Sequence, residues 1–141
     1  MQFLVILIPI AAIMALVAAY ILASKILKAP VGNETMLDIS NAIKQGASAY
    51  MNRQYTTIAF AAVAITIAFI ITALLTTGEQ STNWWWTSAG FAIGAIFSAL
   101  SGYVGMNIAV RANVRVAEAA RNSLKGALDI AFNGGAVAGL A

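Results

Sequence analysis

The sequence predicts an all-α membrane protein, a polytopic transmembrane helix bundle with about three full spans and the start of a fourth. Composition is the first observation behind this. Of 141 residues, 61% are hydrophobic and only 9% charged, with a mean hydropathy of +0.84. A soluble domain of this size cannot bury so much apolar surface. The second observation is where the charges fall, because residues 3–24, 54–78 and 80–110 contain no Asp, Glu, Lys or Arg. Each run exceeds the roughly 18 residues that mark a membrane span. The third is the pairing of these runs with flanking basic residues, which sets an orientation.

The first span reads as residues 3–24. A cleaved leader would start with a basic residue and have an apolar core of about 7–15 residues. Here Met1-Gln2 is uncharged, the run is longer, and Lys25 and Lys28 follow it as a stop-transfer flank would. The second span reads as residues 55–77 and the third as residues 84–110. Residues 130–141 form another uncharged stretch. As a helix it covers only about 18 Å and cannot cross the roughly 30 Å hydrocarbon core alone. The chain is therefore expected to be the front part of something longer, 1–141 belonging to one larger membrane domain.

All eight basic residues lie between spans one and two (Lys25, Lys28, Lys44, Arg53) or between three and four (Arg111, Arg115, Arg121, Lys125). Lys and Arg near span ends stay cytoplasmic, so the N-terminus is expected outside and these two connections inside. The opposite loop, residues 78–83, carries only Glu79. Trp84, Trp85 and Trp86 begin the third span at that outer boundary, where indole rings prefer the headgroup level.

The connections have helical character. Met36, Ile39, Ile43, Ala47 and Tyr50 recur at spacings of three and four, the pattern of a short amphipathic helix leading into span two. Pro30, Gly32 and Asn33 supply the break before it, and Thr35 with Asp38 forms a weak capping box. Packing on neighbouring helices is favoured over the membrane surface, since the polar face is not strongly basic. Beyond Val110, Arg111, Arg115 and Glu118 form one charged stripe, so the third helix is expected to project past the membrane. Asn122-Ser123 is the expected turn, with a fourth helix beginning at about residues 124–130.

Gly90, Gly94, Ser98 and Gly102 stand at intervals of four along span three, with Ser101 and Gly105 as a parallel row. Small residues let helix backbones approach closely in lipid, so this face is expected to be a packing seam. Gly135 and Gly139 repeat the spacing. Ala11, Ala15, Ala18 and Ala19 in span one, and Ala61, Ala64 and Ala68 in span two, give comparable faces.

With no Cys and no His, thiolate or imidazole chemistry is excluded. The net charge of +3 does not point to nucleic acid, because the basic residues flank spans rather than form a stripe with stacking aromatics. No carboxylate lies within spans one to three, and Glu34, Asp38, Glu118 and Asp129 are too scattered for an evident Mg²⁺ cluster. Asp129 reads as a solvated first-turn carboxylate of the fourth helix. Asn133-Gly134-Gly135 lacks the strand, Lys and Ser or Thr of a phosphate-binding loop.

Residues 36–55, MLDISNAIKQGASAYMNRQY, contain Gly46-Ala47, Tyr50 and Arg53-Gln54-Tyr55. Residues 91–120 contain Gly94, Ser98, Gly102, Gly105-Met106, Ala112-Asn113-Val114-Arg115 and Ala119-Ala120, and residues 123–140 read SLKGALDIAFNGGAVAGL. Together these segments resemble the membrane-integral, ion-pumping pyrophosphatases, the first span matching in position only. The resemblance implies a parent of about sixteen spans that hydrolyses pyrophosphate with Mg²⁺ and moves H⁺ or Na⁺, as a homodimer with outward termini. It implies a hydrolytic site on later helices around an Asp-Val-Gly-Ala-Asp-Leu-Val-Gly-Lys motif, which does not occur here. No catalytic, cofactor-binding or metal-binding residue is carried over to this chain, whose helices are expected to be scaffold. H⁺ against Na⁺, and any need for K⁺, are not readable from it. The alternative is a small non-enzymatic membrane protein that associates through the Gly-rich face.

Overall fold

The computed structural model describes the backbone from Gln2 and the side chains from Ile6 to Ala141. Its four helices are α1 (Gln2–Lys28), α2 (Glu34–Leu75), α3 (Glu79–Asn122) and α4 (Leu124–Leu140), with no strand among the described residues. The first three are long and apolar enough to cross a membrane. Within their most apolar stretches only 6% of α1, 6% of α2 and 11% of α3 is buried by the chain itself. Lipid or further helices must cover the rest, because so much apolar surface is not stable in water.

The helix boundaries differ from the sequence reading in three places. The helix before span two is not a separate short element, since α2 runs unbroken for 42 residues, about 63 Å at the usual rise. Its start is capped by Asn33, whose Oδ1 accepts from the Met36 N–H at 3.0 Å, so the Thr35 capping box does not form. The loop expected over residues 78–83 shrinks to residues 76–78. Gly78 takes φ +68° there, and the following Glu79 suits the positive N-terminal end of α3. The expected turn at Asn122-Ser123 is present: Ser123 Oγ accepts from the Gly126 N–H at 3.0 Å and starts α4 at Leu124.

The chain divides into two compact units, one of Met1–Ala47 with Ser101–Ala141 and one of Ser48–Leu100. In the first, Ala19 and Ile26 of α1, Ile108 and Ala112 of α3 and Val137 of α4 form the core, with Leu22, Ala23 and Ile130 packed around them. Small residues set the α3–α4 distance. A Cβ placed on Gly105 would lie 3.1 Å from the Ala138 Cβ, and one on Gly134 would lie 3.4 Å from the Ala112 Cβ. This is the close backbone approach that small residues permit.

The packed row is not the one the strict four-residue spacing singled out. Gly90, Gly94, Ser98 and Gly102 are exposed, and a Cβ on Gly90 or Gly94 would meet nothing within 4 Å. The seam within the chain is the parallel row through Gly105. A step of three residues turns the face by about 60° on a 3.6-residue helix, enough to exchange a covered face for an open one. Gly135 and Gly139 are likewise open, while Gly134 and Ala138 face α3.

On the first part of α2 the buried and half-buried positions are Met36, Ser40 and Ala47, whereas Ile39, Ile43 and Tyr50 of the expected stripe are exposed. Packing therefore covers only one margin of that stripe.

In the second unit α2 and α3 form a hairpin. Phe69 meets Phe91 edge-on at 5.5 Å and Trp84 at 5.9 Å. Ala73 and Ser88 are buried, and Ser81 Oγ donates to the Ala73 carbonyl at 2.7 Å across the turn. Trp85 and Trp86 are exposed, while Trp84 is half-buried against Phe69. Thr66, Thr72 and Thr87 each donate to the carbonyl four residues earlier, which satisfies their hydroxyls without a partner helix.

Candidate functional site

The most constrained polar arrangement is at the end of α1. The helix stops at Lys28 before Ala29-Pro30, with no glycine immediately after it to turn the backbone and satisfy its last carbonyls. Arg115 of α3 supplies the missing donors. Its Nη2 donates to the Leu27 carbonyl at 3.0 Å, its Nε to the Ala29 carbonyl at 3.2 Å, and its Nη1 to the Arg111 carbonyl at 2.6 Å. A guanidinium suits this place because its planar fork reaches several acceptors at once and its charge opposes the negative end of the helix. Burial, and secondarily the neighbouring Arg111 charge, lower its pKa from the ordinary value. Arginine remains protonated at neutral pH regardless.

Glu118, one turn further along α3, is turned to the same connection. A Cβ placed on Gly32 would lie 2.8 Å from Glu118 Oε2 and 2.5 Å from Met36 Sδ, and Gly32 itself takes φ +82°. No other residue fits there without moving both neighbours. Glu118 is also paired with Arg121 at 3.2 Å. The expected charged stripe of Arg111, Arg115 and Glu118 is thus a joint between α1, its connection and α3. One signal could have revealed it: an uncapped helix end, with a basic helix extension elsewhere in the chain.

No catalytic or metal-binding residue was expected, and none is assigned. Mg²⁺ needs several oxygen ligands converging. Among the described residues no three His, Cys, Asp or Glu side chains gather to hold a metal ion. These side chains do not fit a Mg²⁺ site. Asp129 is exposed and sits in the second turn of α4, not the first, because the helix begins at Leu124.

The fold is all-α, with three helices long and apolar enough to cross a membrane. The chain belongs to the inorganic H⁺ pyrophosphatase family, whose model matches residues 13–141. It is 49% identical over 133 residues to the K⁺-insensitive pyrophosphate-energized proton pump of Methanosarcina mazei, covering 94% of this chain and 19% of that protein. It is 48% identical over 134 residues to the K⁺-insensitive pyrophosphate-energized proton pump 2 of Moorella thermoacetica, covering 95% and 18%. It is 42% identical over 117 residues to the K⁺-stimulated pyrophosphate-energized sodium pump of Thermotoga maritima, covering 82% and 15%. The chain thus spans about a fifth of the length of the first two relatives. No solved structure matches it.

Proposed function

We propose that the chain is the N-terminal scaffold of a pump that couples Mg-pyrophosphate hydrolysis to movement of H⁺ or Na⁺ across a membrane. The observation that carries this is identity of 49% sustained over 94% of the chain to a pyrophosphate-energized pump. In this reading α1 to α3 are outer spans, and Mg²⁺, substrate and ion pathway belong to the rest of the protein. The parent works as a homodimer, with the N-terminus outside and both basic connections in the cytoplasm. Proton-pump and sodium-pump relatives both align with these residues. In this reading the choice of ion belongs to the rest of the protein.

The reading predicts that the full-length parent, reconstituted in sealed vesicles, releases phosphate from Mg-pyrophosphate and accumulates H⁺ or Na⁺. The isolated 141-residue segment should release none above a mock-purified control, having no converging carboxylates to hold the metal and orient water. A full-length protein that hydrolyses pyrophosphate without ion uptake, or an active isolated segment, would contradict it.

A further inference from the structure

α4 has a covered face and an open one. On the covered face Ala127, Gly134 and Val137 are buried, Ile130 packs on the core, and Ala138 stands against Gly105. The open face carries Leu124, Leu128, Ala131, Phe132, Gly135 and Gly139, all exposed, with Leu124 at 74% and Phe132 at 75%. Steps of three and four residues place these six on one stripe about 100° wide, the width of a helix face that meets a neighbour. Lys125, Asp129 and Asn133 fall beyond its edges.

The stripe is continuous with the seam between α3 and α4. A hollow of about 240 Å³ is lined by Ala109, Asn113 and Val116 of α3 and by Ala131, Gly134 and Gly135 of α4. On the far side of Gly135 a second hollow runs along Leu128 and Phe132. Gly134 belongs to the seam itself, since a Cβ on it would lie 3.4 Å from the Ala112 Cβ, whereas a Cβ on Gly135 or Gly139 would meet nothing within 4 Å. Glycine weakens a helix relative to alanine, and an outward pair one turn apart is useful where another backbone comes close. An acyl chain needs no glycine to lie against. Leu124, Leu128 and Phe132 are then the projecting side chains of a helix contact, and Ala131, Gly135 and Gly139 are its gaps.

We propose that the span following α4 in the full-length parent lies antiparallel to α4 in this groove. The 141 residues cover 19% of one pump relative and 18% of another, so in a parent of that length most of the chain is available to cover the face. Consecutive elements are usually neighbours in space, and helices joined by short connections pack antiparallel. α1 and α3 already occupy the other face of α4, which leaves this stripe for the next span. The proposal rests on reading the chain as the front of a longer pump, and it is independent of the ion that is moved.

The test places the photo-crosslinker benzoylphenylalanine at Phe132, and separately at Leu128, in the full-length parent in its membrane. Mass spectrometry of the irradiated, digested protein maps the adducts, and pyrophosphate hydrolysis is measured on the same membranes before irradiation. Both positions should give adducts within the same polypeptide, on the span next after α4. Adducts to lipid, to a second copy or to a span further along the chain would overturn the proposal. Hydrolysis keeps the two readings apart. Adducts on the next span without hydrolysis support the groove and contradict the pump, while lipid adducts with hydrolysis do the reverse. Gly135→Leu in the purified parent supplies a second readout. On an open face it should hold or raise the melting temperature, because leucine is the better helix former. Beneath a further helix it must force two backbones apart, and the melting temperature should fall by several degrees. A melting temperature that stays put or rises would overturn the proposal as well.

Discussion

Replacing Arg115 with Gln is expected to destabilise the protein by about 2 kcal/mol, several times the effect of Arg121→Gln. The wild-type guanidinium makes three hydrogen bonds to backbone carbonyls, two of them at the end of α1. Charged hydrogen bonds are worth about 1.5–3 kcal/mol each when buried, and partial exposure of Arg115 reduces the sum. The variant leaves the Leu27 and Ala29 carbonyls without that donor at a helix end that has no glycine cap. Arg115→Lys should recover only part of the loss, because an ammonium keeps the charge but lacks the planar fork. Arg121 pairs with Glu118 as an exposed i,i+3 ion pair, a type worth about 0.3–0.5 kcal/mol. Melting of the three variants in detergent measures the order. Arg115→Gln melting level with Arg121→Gln would show that the joint contributes nothing.

The second large effect is expected at Gly105. A Cβ there would already stand 3.1 Å from the Ala138 Cβ and 3.2 Å from its Cα. Gly105→Leu must therefore push α3 and α4 apart, since the obstacle includes backbone and not only a movable side chain. Overpacking of this kind costs about 1–3 kcal/mol, and the lost contacts extend along the seam to Gly134 and Ala112. Ile96→Leu, at a position 60% exposed, changes shape with little change in volume and should stay below about 1.5 kcal/mol. Thermal melting decides between them, and a Gly105→Leu variant as stable as Ile96→Leu would mean that the helices do not meet as described.

The sequence made the spans legible because long uncharged apolar runs have few structural solutions: a helix satisfies its own backbone in lipid, and few alternatives do. It also revealed the Ser123 cap, since Ser at a helix start has a local reason to be there. What it concealed is which face each helix turns to its neighbours. In α3 the glycines at intervals of four and the row through Gly105 are equally small, and only the position of Ala138 on α4 separates them. The apolar stripe through Ile39 and Ile43 was visible as a pattern, yet those residues remain exposed. In a membrane protein, apolar character no longer distinguishes a packed face from a lipid-facing one. Arg115 was legible as a basic residue beyond a span, and its partners were not, because they are carbonyls 86 and 88 positions away in the chain.

The central claim is that three spans place both basic connections on one side and the Trp-bearing turn on the other. Accessibility of single cysteines in intact cells tests this most directly, and these 141 residues contain no cysteine of their own. Gln45 of α2 and Thr82 near the start of α3 are both exposed and suit the substitution. A membrane-impermeant maleimide should label Thr82→Cys in intact cells and reach Gln45→Cys only after permeabilisation. Labelling of Gln45→Cys in intact cells with Thr82→Cys protected would invert the orientation, and labelling of both would break the three-span topology.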